Sequence, residues 1–282
     1  MAHARIDYHL PEGLRGSMLE KIMNDRLRDL IGAKLKWPES SIEMALDRAP
    51  TVRSLKNAVR RRSPAVVAEI KRASPSAGIL RADFDPISIG REYQKAGAAA
   101  VSVVTEGKHF RGNLETVPTL RWALDIPLLC KDFIVDRFQI LAARHAGADA
   151  VLLIASLLDP AALKRLKTEA ERLRMEVLVE VHNEAELDRA LGVDATLIGV
   201  NNRDLRSFQV SLDVSLRLGP HIPEGVVALS ESGIRSAEDM RRLSDAGFRG
   251  FLIGETFMRA PSPGAALSSL LSGIVPARRK LS

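Results

Sequence analysis

The sequence predicts a single (β/α)8 barrel behind an N-terminal helical extension. Three observations predict it. After Pro64, short apolar strands alternate with amphipathic helices. The alternation repeats eight times, which favours a closed parallel barrel over an open sheet. No Gly-x-Gly-x-x-Gly follows the first strand, so a dinucleotide-binding sheet is disfavoured.

The elements follow in order. Residues 1–64 form the extension. Met18, Leu19, Ile22, Met23, Leu27, Leu30 and Ile31 recur at three- and four-residue steps, the signature of one helical face. Ser40 and Glu43 have capping-box spacing ahead of a second short helix. Ser54 to Arg62 is a candidate third helix, and the whole segment is expected to lie across the barrel.

Residues 65–275 are the barrel, and 276–282 a tail. The expected strands are Val66–Lys71, Ala100–Glu106, Leu128–Phe133, Ala150–Ala155, Val177–Val181, Leu197–Asn201, Val226–Glu231 and Gly250–Gly254. The helices after them centre on Pro86–Ala96, Leu114–Leu124, Arg137–Ala146, Pro160–Arg174, Glu184–Leu191, Leu212–Leu218, Ala237–Ala246 and Gly264–Leu271. Ala96-Gly97, Ala146-Gly147, Leu191-Gly192 and Ala246-Gly247 read as helix ends, where glycine permits a left-handed turn.

Charge and cysteine content narrow the function. Lys and Arg number 41 against 35 Asp and Glu, a net charge of +6 that favours an anionic ligand. Only Arg60, Arg61 and Arg62 form a compact basic run, read as a solvated face. Cys130 is the sole cysteine, so no intrachain disulfide can form, and its apolar neighbours suggest a buried, inert thiol. The start carries no signal-type apolar core, and no apolar run is long enough for a membrane span. A cytoplasmic protein is expected, with neither membrane nor nucleic acid as partner.

In such a barrel the reactive groups stand at the C-terminal strand ends. Here those ends are polar: Glu69, Lys71 and Ser74; Glu106; Lys131; Glu180; Asn201 and Arg203; Glu231 and Ser232. Glu69 and Lys71 are two apart on one strand and face the same side, as do Leu129, Lys131 and Phe133. One polar strand end reads as a structural ion pair. Six at once read as a site. The Ser232-Gly233 and Gly254-Glu255 turns after the last two strands are shaped to let backbone N–H groups approach an anion.

At these residues the chain resembles the indole-3-glycerol-phosphate synthase family. The strand-one segment Glu69-Ile70-Lys71-Arg72-Ala73-Ser74-Pro75-Ser76-Ala77-Gly78 and the strand-three segment Leu129-Cys130-Lys131-Asp132-Phe133-Ile134-Val135 carry the match most specifically. Leu178 to His182, Ile198 to Leu205, Ser230 to Ile234 and Leu252 to Glu255 extend it. The resemblance implies closure of an indole ring on 1-(2-carboxyphenylamino)-1-deoxyribulose 5-phosphate, with loss of carbon dioxide and water and without metal or organic cofactor.

The resemblance also implies residue roles. Lys131 is the general acid and Glu180 assists dehydration. Lys71 binds phosphate and in some proposals donates a proton. Glu69 and Asn201 position the amine and hydroxyls. Arg203 and Ser74 are expected to hold the carboxylate, with Phe110, Phe133, Leu152, Leu205 and Pro75 walling an aryl pocket. Glu106 and Glu231 complete the substrate-binding set. Ser232, Gly233, Gly254 and the backbone of Glu255 take the phosphate, and the Glu255 side chain must turn away from it. His109 takes a place that is often aromatic in the family. The expected assembly is a monomer or weak homodimer.

Two other readings carry different signatures. A related barrel such as phosphoribosylanthranilate isomerase typically needs a Cys and Asp pair, and Cys130 has the wrong parity to share the mouth with Lys131. A barrel binding nucleic acid through Arg60-Arg61-Arg62 and Arg278-Arg279-Lys280 would bind with steep salt dependence, and would leave the polar strand ends unexplained.

Overall fold

A computed structural model describes Tyr8 and residues 10–274. His9, the 276–282 tail and the basic triplet 278–280 lie outside the described residues.

Eight parallel strands close into a barrel. They are β1 (Ala65–Ile70), β2 (Ala100–Val104), β3 (Leu128–Lys131), β4 (Ala150–Ile154), β5 (Glu176–Val181), β6 (Leu197–Asn201), β7 (Val227–Glu231) and β8 (Gly250–Ile253). Each pairs with its sequence neighbours, and β8 closes on β1 through Val66 beside Phe251 and Val67 beside Leu252. The strands are rich in Val, Leu and Ile and almost wholly buried, as strands covered by helices on one face and packed inside on the other must be.

The extension holds α1 (Met18–Lys36), α2 (Glu39–Ala45) and α3 (Leu55–Arg60). The barrel helices are α4 (Pro86–Lys95), α5 (Thr116–Ala123), α6 (Arg137–His145), α7 (Pro160–Arg172), α8 (Glu184–Gly192), α9 (Asp213–Leu218), α10 (Ala237–Asp245), α11 (Glu255–Met258) and α12 (Pro263–Ser272). The short α11 after β8 and a two-residue hairpin after β1, Ala73–Ser74 against Gly78–Ile79, add to the expected elements.

Helix α1 begins at Ser17, whose Oγ accepts the Glu20 N–H while the Glu20 carboxylate takes the Gly16 N–H. Its stripe is narrower than the periodicity suggests. Leu19, Ile22, Met23 and Leu30 are buried, but Met18 and Ile31 face outward. Helix α2 starts at Glu39 behind Pro38, without a side-chain cap. Ser40 therefore lies inside the first turn, and Glu43 pairs with Arg137 rather than closing a capping box. Helix α3 is capped by Ser54, whose Oγ accepts the Asn57 N–H at 3.0 Å.

The extension runs from one end of the barrel to the other. Leu19 and Ile22 of α1 reach the mouth. Leu55 and Val59 of α3 are fully buried at the opposite end, where Ser54 Oγ and the Lys56 N–H both donate to Glu176 at the start of β5, each at 2.7 Å. The Arg53 N–H donates to Asp149 just before β4 at 2.7 Å. The basic run is exposed, and two of its members fasten this end: Arg60 donates to the Gly225 carbonyl and Arg62 to that of Gly97.

Gly97, Gly147 and Gly247 take left-handed φ values of 98°, 92° and 101° at their helix ends. Gly192 does not. It stays helical, and Asp194 makes the left-handed turn at φ 56°. No helix among the described residues is long and apolar enough to cross a membrane.

Candidate active site

Strands alternate their side chains, so residues at the C-terminal ends of β1, β3, β5, β6 and β7 converge above the barrel core. They line the floor of a cavity of about 470 Å³. Lys131 is the centre. Its Nζ donates to Glu180 Oε2 and to Glu231 Oε2, each at 3.0 Å. Both carboxylates are buried, whereas the lysine side chain keeps 18% exposure toward the cavity.

The charges fix each other's protonation. Burial alone would depress the Lys131 ammonium, but Glu180, Glu231 and Glu69 outweigh it and hold the proton above the ordinary lysine range. Burial opposes ionisation of Glu180, yet Lys131 and His182 keep its carboxyl below the usual carboxylate value. Glu231 goes the other way. Burial, with Glu180 beside it, pushes its carboxyl up to about 7 despite Lys131. One lysine thus sits between an ionised acid and one poised near neutrality.

Glu69 lies beside this trio and pairs with Lys71, Nζ to Oε1 at 2.5 Å. Lys71 and Lys131 hold its carboxyl low against burial. The Glu69 carboxylate rests against Gly254, where a side chain would strike Glu69 Oε1 and come within 2.9 Å of its Cβ and Cδ. Lys71 is thereby held near the turns after β7 and β8. Gly199 on β6 plays the same part for Glu231, since an added Cβ would meet Glu231 Oε1.

Asn201 ties the next wall together. Its Oδ1 accepts the Arg203 N–H at 3.0 Å and the Ser232 hydroxyl at 2.8 Å, and its amide also supports Glu180. Ser232 and Gly233 take successive left-handed φ values of 64° and 80°. Such strain in a non-glycine residue persists only where surrounding contacts enforce it. Helix α11 opens at Glu255, and its first backbone bond is made by Phe257, so the N–H groups of Glu255 and Thr256 precede the helical ladder. The Glu255 carboxylate reaches Arg203 at 3.2 Å and Arg259 at 3.0 Å.

Most expected residues meet here. Glu69, Lys71, Glu106, Phe110, Lys131, Phe133, Leu152, Glu180, Asn201, Arg203, Leu205, Glu231, Ser232, Gly233, Gly254 and Glu255 all line the cavity. Ser74 and Pro75 are placed elsewhere. They occupy the hairpin turn after β1, where Ser74 Oγ accepts the Ala77 N–H at 3.2 Å, and Ser76 rather than Ser74 meets Arg203, also at 3.2 Å. Glu106 touches the cavity, but its carboxylate accepts the N–H groups of Lys108, His109 and Phe110 at 2.8–3.0 Å. It shapes the loop that presents Phe110, whose ring centroid lies 6.0 Å from that of Phe133.

Other lining residues carried no signal in the expected strand ends. Leu19 and Ile22 come from α1, and Phe208 and Val210 from the loop after β6. His109 turns from the cavity toward Asp25 of α1, 2.8 Å away. Cys130 is buried behind the strand beside Thr105, where burial pushes its thiol up to about 12, and it does not line the cavity. Among the described residues, no three His, Cys, Asp or Glu side chains are grouped to hold a metal ion.

The family model described as indole-3-glycerol phosphate synthase matches residues 19–270. The chain belongs to this family. An indole-3-glycerol phosphate synthase from Carboxydothermus hydrogenoformans is 47% identical over 264 residues, covering 90% of this chain and 99% of the relative. One from Laribacter hongkongensis is 45% identical over 260 residues, at 90% and 99% coverage. Among solved structures, KGPDC from Streptococcus mutans superposes with a TM-score of 0.59 at 14% identity, covering 76% of this chain and 98% of that one. That likeness is one of fold alone. Family membership covers α1 as well as the barrel, so the helix that lines the mouth belongs to the shared unit.

Proposed function

We propose that the chain catalyses the reaction of its family, closing the indole ring of 1-(2-carboxyphenylamino)-1-deoxyribulose 5-phosphate to give indole-3-glycerol phosphate, carbon dioxide and water. The observation that carries this reading is Lys131 held between Glu180 and Glu231 on the floor of an apolar-walled cavity.

The aryl ring packs among Phe110, Phe133, Leu152 and Leu205, with Leu19 and Ile22 closing over it. The phosphate lies at the turns after β7 and β8, met by Lys71, the Ser232 hydroxyl and backbone N–H groups of Gly233, Gly254 and Glu255. Arg203 takes the carboxylate. Attack by the ring carbon that bears it makes that carbon tetrahedral, which lifts the breaking carbon–carbon bond out of the ring plane and into line with the π system.

As the ring carbon attacks the ketose carbonyl, its oxygen becomes strongly basic. Lys131 then releases a proton that it holds tightly in the free protein. Carbon dioxide leaves and the ring regains aromaticity. A second proton expels the oxygen as water, and Glu180 removes one from the methylene carbon beside nitrogen. The oxygen takes two protons and the carbon returns one. The remaining proton enters from solvent as the carboxylate departs. Glu231 takes up and passes on that proton, while Glu69 and Asn201 orient the amine and hydroxyls. The steps are proton transfers, a carbon–carbon bond made and one broken, and a carbon–oxygen bond broken as water leaves, all of which lysine and carboxylates can serve, so the reading calls on neither metal nor organic cofactor. The same reading has the chain acting as a monomer or weak homodimer in the cytoplasm.

The test is the fluorescence of indole-3-glycerol phosphate formed from synthetic substrate in the presence of EDTA. Steady turnover supports the reading. No product, or product only after a divalent ion is restored, overturns it.

A further inference from the structure

His182 follows Glu180 by two residues at the end of β5, so both side chains point toward the barrel axis. The imidazole is buried, with 11% of its side chain exposed. Its Nδ1 lies 2.9 Å from Glu186 Oε2. Glu186 is itself fixed. The same oxygen accepts the His182 N–H at 2.9 Å, and the other accepts the Asn183 amide at 2.9 Å. An ionised carboxylate only accepts, so Nδ1 carries a hydrogen.

On the far side of the ring, Nε2 is buried without a hydrogen-bond partner and faces Glu180 Oε1 at 3.4 Å. A bare lone pair there would oppose a carboxylate oxygen. A second ring proton removes the conflict and makes the group an imidazolium. The groups facing it are Glu186 from α8, Glu180 on its own strand, Glu231 from β7 and Asp204 from the loop after β6. Burial opposes the charge, but Glu186, Glu180 and Glu231 raise the imidazole above its ordinary value.

This cation makes the two partners of Lys131 unequal. Both accept from Nζ at 3.0 Å. Only Glu180 has His182 at its second oxygen, whereas Glu231 Oε1 is buried with no partner. We propose that His182 is a positioning residue: held by Glu186, it orients Glu180 and keeps it the ionised member of the pair around Lys131, leaving Glu231 to take up the proton. The inference rests on the function proposed above and assigns the basis of its acid–base asymmetry.

The experiment measures kcat, KM and the pH profile for His182→Leu and Glu186→Gln, each alone and combined with Glu180→Gln. Partners that orient metal-ligating side chains typically carry about 10- to 100-fold in activity, and the partner of a catalytic carboxylate is expected to carry the same order. His182→Leu should lower kcat by about that factor while KM moves less than about threefold, because the substrate is held by other residues. Its acid limb should shift to higher pH, since Glu180 loses a cation. Glu186→Gln, which keeps an acceptor for Nδ1 but removes the charge, should move kcat and the acid limb the same way by less. If His182→Leu fails to fold, Glu186→Gln still carries the test. In the Glu180→Gln background neither change should cost anything further. Wild-type kcat and acid limb in the single variants, or an equal loss in the Glu180→Gln background, would overturn the proposal. No turnover by the unmodified protein would instead overturn the function on which it rests.

Discussion

Arg26 of the N-terminal extension grips Asp132, the residue after Lys131, through two parallel hydrogen bonds of 2.9 Å. Asp132 is buried, and it also accepts the Thr105 hydroxyl at 2.6 Å and the Phe133 N–H at 2.8 Å. Lys34 makes a second tie to Asp136, which caps α6. Lys108 and His109 make a third, to Asp25 in α1. The helix that lines the cavity mouth is therefore clamped to the end of the strand that carries the central lysine and to the loops beside it.

Arg26→Ala should loosen that clamp without emptying Asp132 of donors. The KM for substrate should rise by on the order of tenfold, the equivalent of about 1.4 kcal/mol of lost binding. The thermal midpoint should fall by several degrees, since losing hydrogen bonds to a charged group costs about 1.5–3 kcal/mol and each kcal/mol is worth roughly 2–4 °C at this size. Steady-state kinetics with thermal unfolding checks both. An unchanged KM would mean that the Arg26 clamp does not hold α1 over bound substrate.

Gly254→Ala and Gly199→Ala probe the two carboxylates that glycines accommodate. A Cβ at Gly254 would displace Glu69, and with it Lys71; one at Gly199 would displace Glu231. Gly254→Ala should therefore raise KM and lower kcat together, beyond a pure phosphate effect. Gly199→Ala should lower kcat, by about tenfold or more if Glu231 shifts by an ångström. Wild-type kinetics in both would separate these glycines from the chemistry.

The strand ends were legible because β-strand alternation is local. Glu69 with Lys71, Lys131, Glu180 and Glu231 follow from parity alone once the strands are placed. Strand limits agree within two residues because Val- and Ile-rich runs mark buried parallel strands. What parity cannot give is the loops. Ser74 and Ser76 are both serines in one turn, and only the hairpin geometry decides which faces Arg203. Glu106 looks like a site acid in sequence, but three backbone N–H groups claim its carboxylate. Leu19 and Ile22 belong to the cavity through tertiary docking of a helix that precedes the barrel in sequence. His182 and Gly199 were hidden because their roles concern neighbouring carboxylates across strands.

Glu231 supplies a pH test. Its carboxyl is raised from 4.5 to about 7 in the folded protein. The folded state therefore holds that proton more tightly than the unfolded chain. Its contribution to stability is full below the ordinary value and is lost as pH rises toward the folded value. Glu231→Gln lacks this titration. The thermal midpoint of wild type should fall relative to the variant between pH 4.5 and 7 and then level off. Parallel pH curves would show that Glu231 shares Lys131 without a raised carboxyl.

The most direct measurement is single-turnover and steady-state kinetics of Lys131→Met, with substrate-analogue affinity and thermal midpoint on the same sample. Methionine keeps most of the volume and removes the proton. It also leaves Glu180 and Glu231 without their shared cation, so the midpoint is read alongside activity. If Lys131 is the general acid, kcat falls by about 100- to 10,000-fold, the range typical of such groups, while affinity stays within about threefold. Near-normal kcat with a lowered midpoint would contradict the account. It would make Lys131 a structural counter-ion and move the acid role to Lys71.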